Sequence, residues 1–383
     1  MRIGILAKGG VDWIGGVYYI ANLIRALRGL PREEQPDLLL LAAGPQQLEL
    51  LHDVRPLVES CCLPPVPDSS TGRTINPALL RLVSEKGIDL LFPCMRSLGR
   101  DFSIPWLPWI PDLQHVAQPG HFAPEERFRR DEQYLRIAGD ARLIVLSSAV
   151  TAQEFQRAYS TKAERLRVLR FTTVLPEEFL ATDPQQTARR FELPRRYLIL
   201  PNQFWVHKNH RVAFEALRIL AERGLDVHLV CTGRDEDPRW PDHAPGLRDF
   251  IRQHHLSERI RILGLLPREV QIQLVRAATA VVQPSLFEGW STVVEDARAL
   301  GKPIFLSDIP VHREQDPPKA TYFPPHEPES LAEGIFRRWA DLPTGFFAAE
   351  EEPARQVQRQ RVSAYAQSFV RIAKELVDVW GGD

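Results

Sequence analysis

Short apolar runs alternate with longer segments of helical periodicity along the first 160 residues or so of the chain. Residues 2–7 are mostly apolar and end in a glycine-rich turn, and residues 17–28 place apolar side chains on one helix face. Further strands are predicted at 37–42, 88–92, 106–110 and 142–146, and further helices at 124–138 and 149–159. Because continuously apolar strands are covered on both faces, this pattern predicts a mostly parallel sheet between helices.

The same alternation restarts after residues 172–195, a stretch with prolines and charges but no clear period, which we interpret as a linker. Strands are predicted at 197–200, 227–231, 260–263, 279–283 and 303–306, and helices near 209–223, 245–255, 267–277, 293–300 and 328–340. Residues 355–380 form one long amphipathic pattern. The chain is therefore predicted to contain two doubly wound α/β domains, 1–180 and 195–360, with a final helical segment at 361–383.

Composition limits the possible partners. The chain has 48 Lys and Arg against 49 Asp and Glu, for a formal net charge of −1, which argues against nucleic acid or an anionic membrane as a whole-surface partner. The four cysteines show neither C-x-x-C nor metal-ligand spacing, so we expect reduced, buried thiols of a cytoplasmic protein. Nowhere does the sequence approach the roughly 20 apolar residues of a spanning helix.

The turn from Gly9-Gly10 to Gly15-Gly16 separates the first strand from the first helix. It has neither the G-x-G-x-x-G order of a dinucleotide site nor the G-K-[ST] of a P-loop. A glycine pair at a helix N-terminus favours a phosphate, because exposed N–H groups and the helix dipole point at it. The alternative is a turn that only requires glycine torsion angles.

Residues 201–210, PNQFWVHKNH, follow the first strand of the second domain, at the sheet edge where α/β folds bind ligands. Lys208 is a candidate phosphate partner, and the alternative is a solvated lysine. His207 and His210 flank it, but the sequence places no third ligand beside them, so no metal site is expected.

Residues 283–303 carry three acids around a helix start. If Thr292 is the N-cap, Glu295 completes a T-x-x-E capping box and has a structural task. Asp296 points about 100° further round the helix and has no such task. From capping alone, we expect Glu295→Ala to lower stability and Asp296→Ala to cost little stability. Glu288 lies before the helix, where a carboxylate can project into a cleft.

Two weaker candidates remain. His115 follows the apolar run 106–110 at a sheet edge, although a lone loop histidine is more often a surface residue. Asp235 and Asp237 have the spacing of a divalent-metal clamp, but a solvated acidic loop is the favoured interpretation.

Together these stretches resemble the retaining glycosyltransferases of the two-Rossmann GT-B architecture, in particular family 4. The likeness covers most of the chain and is most specific in LFEGWSTVVEDARALGKP, residues 286–303, with Gly301 closing the helix. The resemblance implies two Rossmann-like domains facing a cleft, an acceptor-binding first domain, a nucleotide-sugar-binding second domain, and a C-terminal helix that returns to the first domain.

The family motif is a glutamate, seven residues and a second acid, which here gives Glu288 and Asp296. By resemblance, Glu288 holds donor-sugar hydroxyls, Asp296 holds the ribose, Lys208 contacts the diphosphate, and His115 contacts the donor sugar near the reacting carbon. Gln203 stands where the family has an arginine. His115, Lys208 and Glu288 are the expected catalytic residues. The expected nucleotide-sugar-binding residues are Gly15, Gly16, Asn202, Gln203, Lys208, Glu288, Gly289, Trp290, Ser291, Thr292 and Asp296, with Glu295 as the fallback for the ribose.

The implied activity is metal-independent, retaining transfer from a nucleotide-diphosphate sugar to a saccharide, lipid-linked or small-molecule hydroxyl, with no further cofactor. A role in cell-surface polysaccharide or glycoconjugate synthesis is expected. The alternatives are a sugar-nucleotide epimerase or phosphorylase, and a non-catalytic sugar-nucleotide-binding or assembly protein. Aromatic residues Trp106, Trp109 and Phe122 lie near the basic residues Arg127, Arg129 and Arg130 in the sequence. They fit a peripheral membrane contact at the cytoplasmic face, although a packed helix edge is favoured.

Overall fold

The structure, a computed structural model, describes residues 1–63, 77–346 and 348–380. It divides into two compact units, Met1–Val174 with Gln360–Asp383, and Leu175–Arg359. Each unit contains one parallel sheet, so the predicted fold class is confirmed. Within the described residues, no helix has both the length and the apolar character needed to cross a membrane.

The first unit is built on a seven-stranded sheet. Its strands are β1 (Arg2–Leu6), β2 (Asp37–Ala42), β3 (Glu59–Cys62), β4 (Leu90–Cys94), β5 (Trp106–Ile110), β6 (Ile144–Leu146) and β7 (Leu166–Val168). Their spatial order is β3-β2-β1-β4-β5-β6-β7. The helices are α1 (Ile14–Arg28), α2 (Pro45–Glu49), α3 (Pro77–Glu85), α4 (Gln114–Ala117), α5 (Pro124–Asp140) and α6 (Ala149–Tyr159). Every residue of β4 and β5 is buried, as expected for central strands covered on both faces.

The second unit is built on a six-stranded sheet. Its strands are β8 (Leu198–Leu200), β9 (Leu229–Cys231), β10 (Ile260–Ile262), β11 (Ala280–Gln283), β12 (Ile304–Ser307) and β13 (Ala320–Phe323), in the spatial order β10-β9-β8-β11-β12-β13. The helices are α7 (Glu177–Ala181), α8 (Pro184–Arg190), α9 (His210–Glu222), α10 (His243–Gln253), α11 (Arg268–Ala277), α12 (Thr292–Ala299), α13 (Pro310–Gln315) and α14 (Pro328–Arg338). The strand order reverses between β8 and β11, and ligands of such sheets bind at the carboxyl ends near a reversal.

The last helix, α15 (Ala348–Trp380), begins in the second unit and ends in the first. Near its start, Glu351 accepts two hydrogen bonds from the buried guanidinium of Arg276, at 2.9 and 3.1 Å. Near its end, the ring of Phe369 packs edge-on against Phe92 at 4.9 Å, and Glu375 pairs with Arg167. The amphipathic pattern at 355–380 therefore belongs to a helix with contacts in both units.

Some predictions of local structure are wrong. Residues 172–195, interpreted as a linker, contain α7 and α8. The short strands β3, β7 and β13 were missed, because each has only three or four residues and includes polar side chains. The four cysteines are free thiols, but Cys62 is exposed and Cys61 half-buried on the edge strand β3, so burial was predicted correctly only for Cys94 and Cys231.

Candidate functional site

Lys208 and Glu288 meet at the carboxyl edge of the second sheet. Lys208 ends a single 3-10 turn between β8 and α9, and Glu288 lies in the loop between β11 and α12. The Lys208 Nζ donates to Glu288 Oε1 at 2.6 Å, with the two side chains 14% and 9% exposed. The structure thus brings together two residues that are 80 positions apart in the sequence.

Glu288 is part of a hydrogen-bonded network that includes the end of β11. Its Oε1 also accepts from the amide of Gln283 at 2.9 Å and from the hydroxyl of Ser285 at 2.8 Å. The side-chain amide of Asn202 donates to the side-chain oxygen Oε1 of Gln283 at 2.6 Å. Gln283 was not among the predicted site residues, although a buried polar residue at the end of an apolar strand is a signal that could have identified it.

The turn that carries Lys208 is held from two sides. Asn209 adopts left-handed torsion angles and donates to the backbone oxygens of Pro284 and Pro325, at 3.2 and 2.7 Å. Asp237 accepts from the backbone N–H of Val206 at 3.1 Å. Because Asp237 is only 2% exposed, its interpretation as a solvated loop acid is wrong. Its carboxylate fixes the position of the lysine turn.

Gln203 follows β8 with its side chain buried at 9% exposure. Its Nε2 has no hydrogen-bond partner within the described part of the chain. The neighbouring loop approaches closely, since a Cβ on Gly233 would lie 2.3 Å from the Asn202 oxygen and 2.7 Å from the Gln203 nitrogen. A buried amide donor therefore occupies the position where the resemblance expects an arginine.

Helix α12 begins one residue earlier than predicted. Ser291, not Thr292, is the N-cap, and its Oγ accepts from the N–H of Val294 at 3.4 Å. The capping box is also wrong, because the N–H of Ser291 donates to the side chain of Gln315 at 3.0 Å. Glu295 is fully buried and accepts from the Gln315 amide at 3.2 Å. The carboxylate of Glu295 thus has a structural contact, made with α13 rather than with the N-cap.

Asp296 forms a bidentate ion pair with Arg268, the first residue of α11. Its Oδ2 accepts from Arg268 Nη1 at 2.7 Å, and its Oδ1 accepts from Nη2. The two side chains are 4% and 17% exposed. The expectation that Asp296 has no structural task is therefore wrong, and Arg268 is a neighbour that the sequence did not reveal.

The remaining predicted residues around α12 take different places. Gly289 is buried in the loop after Glu288, while Trp290 is 8% exposed and packs into the unit. Thr292 is the first helical residue. Gly301 has a φ of +63° directly after the helix, as expected for its closing glycine.

In the first unit, His115 lies on α4 and is 2% exposed, so the alternative interpretation as a surface loop residue is wrong. Its Nε2 lies 3.0 Å from the Tyr159 hydroxyl and 3.2 Å from Asp131 Oδ1. Tyr159 donates to the same carboxylate oxygen at 2.7 Å. Burial lowers the pKa of His115, and the nearby carboxylate of Asp131 opposes this shift only in part.

Gly15 and Gly16 lie in the first turn of α1, whose N-cap is Trp13. A Cβ on Gly16 would come within 2.9 Å of the Gly9 backbone and 3.0 Å of the Trp13 ring, whereas one on Gly15 would meet Trp13 at 3.5 Å. Glycine at position 16 is thus required by packing. This supports the alternative that the turn needs glycine for its own geometry.

The aromatic residues proposed for a membrane contact are buried. Trp106, Trp109 and Phe122 are 0%, 2% and 7% exposed. The guanidinium of Arg130 lies over the Phe122 ring at 4.8 Å. These contacts are those of a packed helix edge.

The two parallel α/β sheets have the fold of the GT-B architecture, which is shared with solved glycosyltransferase structures. Among solved structures, HepE from Anabaena in complex with UDP and glucose matches with a TM-score of 0.71, 16% identity, and coverage of 98% of this chain and 100% of that one. WaaG, a glycosyltransferase involved in lipopolysaccharide biosynthesis, matches with a TM-score of 0.60, 14% identity and coverage of 100% of both chains.

Residues 184–342 match the family model described as glycosyl transferases group 1. The matched residues lie within the second unit. Similar curated proteins include the alpha-D-kanosaminyltransferase of Streptomyces kanamyceticus, 23% identical over 58% of both chains. Another is the O-antigen chain mannosyltransferase RfbU of Salmonella typhimurium, 24% identical over 50% of this chain and 49% of that one. The matched region spans about half the length of these relatives.

Proposed function

We propose that the chain is a retaining glycosyltransferase that moves a sugar from a nucleotide-diphosphate sugar to a hydroxyl acceptor. The observation that carries the proposal is the Lys208–Glu288 pair, fixed at the carboxyl edge of the sheet within the residues that match the glycosyl transferases group 1 model. The transferase names of the curated relatives and the UDP bound to HepE support a nucleotide-sugar donor.

The geometry supports separate binding roles for the charged residues at this edge of the sheet. Lys208 and Glu288 are hydrogen-bonded to each other in the structure. When a donor binds, we expect Lys208 to move to the diphosphate and Glu288 to accept from sugar hydroxyls. Asp296, held by Arg268, is the candidate for the ribose, and Glu295, which is hydrogen-bonded to Gln315, remains the fallback. His115 is proposed to contact the donor sugar. Catalysis would then rest on positioning and on stabilising the charge of the leaving diphosphate.

The resemblance of the sequence to family 4 glycosyltransferases supports two further proposals, a metal-independent reaction and a role in cell-surface polysaccharide or glycoconjugate synthesis. Activity is accordingly expected to survive EDTA. Transfer from a panel of sugar nucleotides, with the anomeric configuration of the product read by NMR, tests donor and stereochemistry together. An inverted product would refute the retaining mechanism.

Lys208→Ala and Glu288→Ala are expected to lower transfer by about 100-fold or more, since each removes a charged group from the reacting region. Lys319→Ala is the matched control, because Lys319 forms an exposed ion pair with Glu350 in the same unit. Equal activity in all three variants would refute the assignment.

A second candidate function, a non-catalytic sugar-nucleotide binder, is favoured by one observation. Gln203 supplies an amide where the family supplies a guanidinium, so the site has one positive charge fewer for the leaving group. Calorimetric titration with nucleoside diphosphates, paired with the transfer assay, separates the two. Tight binding without transfer to any acceptor would favour the binder.

A further inference from the structure

Two cations that have no carboxylate partner among the described residues lie at the carboxyl edge of the first sheet. Lys8 follows the end of β1 by two residues, and Arg96 follows the end of β4 by two residues. The two strands are parallel neighbours, with Ile3 opposite Leu90 and Ile5 opposite Phe92. This register brings the two loops out of the sheet side by side.

Within the described part of the chain, neither side chain makes a hydrogen bond or an ion pair. Lys8 is half-buried and Arg96 is exposed. Burial lowers the pKa of Lys8. Cys94 opposes this shift in part, and the positive charge of Arg96 adds a smaller lowering effect. A half-buried ammonium beside a like charge is costly unless an anion neutralises it.

An aromatic stack borders the same edge. The Trp109 ring, on β5, stacks on Tyr19 at 3.7 Å and on Trp13 at 5.9 Å. Tyr19 and Trp109 are buried, but Trp13 remains half-buried in the loop that carries Lys8.

Trp13 gives no capping hydrogen bond, although it occupies the N-cap of α1, a position that favours small polar residues. Its ring is held in place by close packing on Gly16. A flat, fixed and partly open aromatic ring is suited to the apolar face of a sugar ring.

We propose that Lys8, Arg96 and Trp13 form a binding site for a saccharide that carries an oxyanion, a carboxylate or a phosphate. Trp13 would stack on the sugar ring, and the two cations would bind the anionic group. The inference rests on the proposed function, because it assigns this ligand as the acceptor class of a sugar transferase. It concerns first-unit residues that have no part in the proposed donor site.

The test measures dissociation constants by ligand-observed NMR for glucose 6-phosphate, glucuronate and glucose. The wild-type protein is expected to bind at least one of the two anionic sugars about tenfold or more tightly than glucose, since a charge-assisted hydrogen bond has that magnitude. Which of the two is preferred distinguishes phosphate from carboxylate. Inorganic phosphate should compete with a bound sugar phosphate and not with glucose.

Lys8→Gln and Arg96→Gln are each expected to remove most of the preference for the anionic sugar and to leave glucose binding unchanged. Arg32→Gln is the matched control, because Arg32 is an exposed cation before β2, at the amino edge of the same sheet. Trp13→Leu is expected to weaken the binding of all three sugars by a similar factor.

The proposal is overturned if the wild type binds glucose as well as both anionic sugars, or if the Lys8 and Arg96 variants match Arg32→Gln. It is also overturned if Trp13→Leu leaves all three constants unchanged. Circular dichroism of each variant confirms folding. If the protein transfers sugar but binds anionic sugars no more tightly than glucose, only this inference is refuted. If it binds anionic sugars more tightly but transfers no sugar, only the proposed function is refuted.

Discussion

Replacing Asp296 by alanine removes the two carboxylate oxygens that accept hydrogen bonds from Arg268. Breaking a buried ion pair from one side costs about 3–5 kcal/mol, because the other charge keeps its desolvation penalty. Arg268 is 17% exposed and also donates to Gln271, so we expect the lower end, about 3 kcal/mol. Arg268→Ala should cost more, about 4–5 kcal/mol, because Asp296 is only 4% exposed.

The assay is urea denaturation of Asp296→Ala, Arg268→Ala and the double variant. The double variant should be more stable than the sum of the single losses implies, with a coupling energy of about 2 kcal/mol or more. Asp308→Ala is the matched control, since Asp308 accepts two hydrogen bonds of 2.6 Å from Arg313 in an exposed pair. Because both partners are solvated, that variant should change stability far less.

Additive losses from Asp296 and Arg268, or a loss in Asp296→Ala no larger than in Asp308→Ala, would show that the pair does not stabilise the unit. The same variants test the proposed ribose contact. UDP affinity measured under conditions where all variants are folded should fall in Asp296→Ala. An unchanged affinity there would remove Asp296 from the proposed site.

Three further predictions use other parts of the structure. Gly16→Ala should destabilise the first unit by about 1–3 kcal/mol, because its Cβ would press on rigid backbone, whereas Gly15→Ala should be tolerated; thermal unfolding compares the two. Gln203→Arg should tighten UDP binding about tenfold by adding a cation, and calorimetry showing no gain would contradict a diphosphate at that position. Burial lowers the pKa of His312 to about 4, with the Lys208 charge acting in the same direction and Glu288 against it, so the folded state keeps this imidazole neutral. Stability should therefore fall as the pH drops from about 6.5 toward 4, since the unfolded chain takes up the proton first, and His312→Gln should show a weaker fall in pH-dependent urea denaturation.

The sequence predicted best the elements whose environment is uniform along their length. Residues 106–110 were identified to the residue, because every side chain of β5 is apolar and buried and the strand needs no partner-specific signal. The edge strand β3 has only four residues, ESCC, of which none is fully buried. This strand forms because the neighbouring strand β2 pairs with it through backbone hydrogen bonds, and a local sequence pattern contains no information about such a neighbour.

In the candidate site, too, the sequence predicted the features that depend on nearby residues and missed those that depend on residues far apart in the chain. The Glu288–Asp296 spacing could be counted from the sequence, but the partner of each acid could not. Ser291 and Thr292 are both good N-caps, so local chemistry left the start of α12 undecided by one residue. Gln315, 24 residues away, is hydrogen-bonded to the Ser291 backbone. Arg268 is 28 residues from Asp296, beyond any helical or hairpin spacing.

The partners of the acids also bear on how a nucleotide diphosphate could be accommodated at the second sheet. Lys208 and Arg268 are each already neutralised, by Glu288 and Asp296, so this pair of ion pairs carries no net charge before a ligand arrives. A diphosphate would add about two negative charges, and desolvated charge is expensive unless it is paired. Lys208 must then replace its hydrogen bond to the Glu288 carboxylate by one to phosphate. Glu288 can then accept from sugar hydroxyls while its hydrogen bonds from Gln283 and Ser285 persist. The Gln203 amide has no hydrogen-bond partner among the described residues, so it can donate a hydrogen bond to a ligand but supplies no charge. An arginine there would supply the missing cation, which is why Gln203→Arg is expected to strengthen UDP binding rather than to disrupt it.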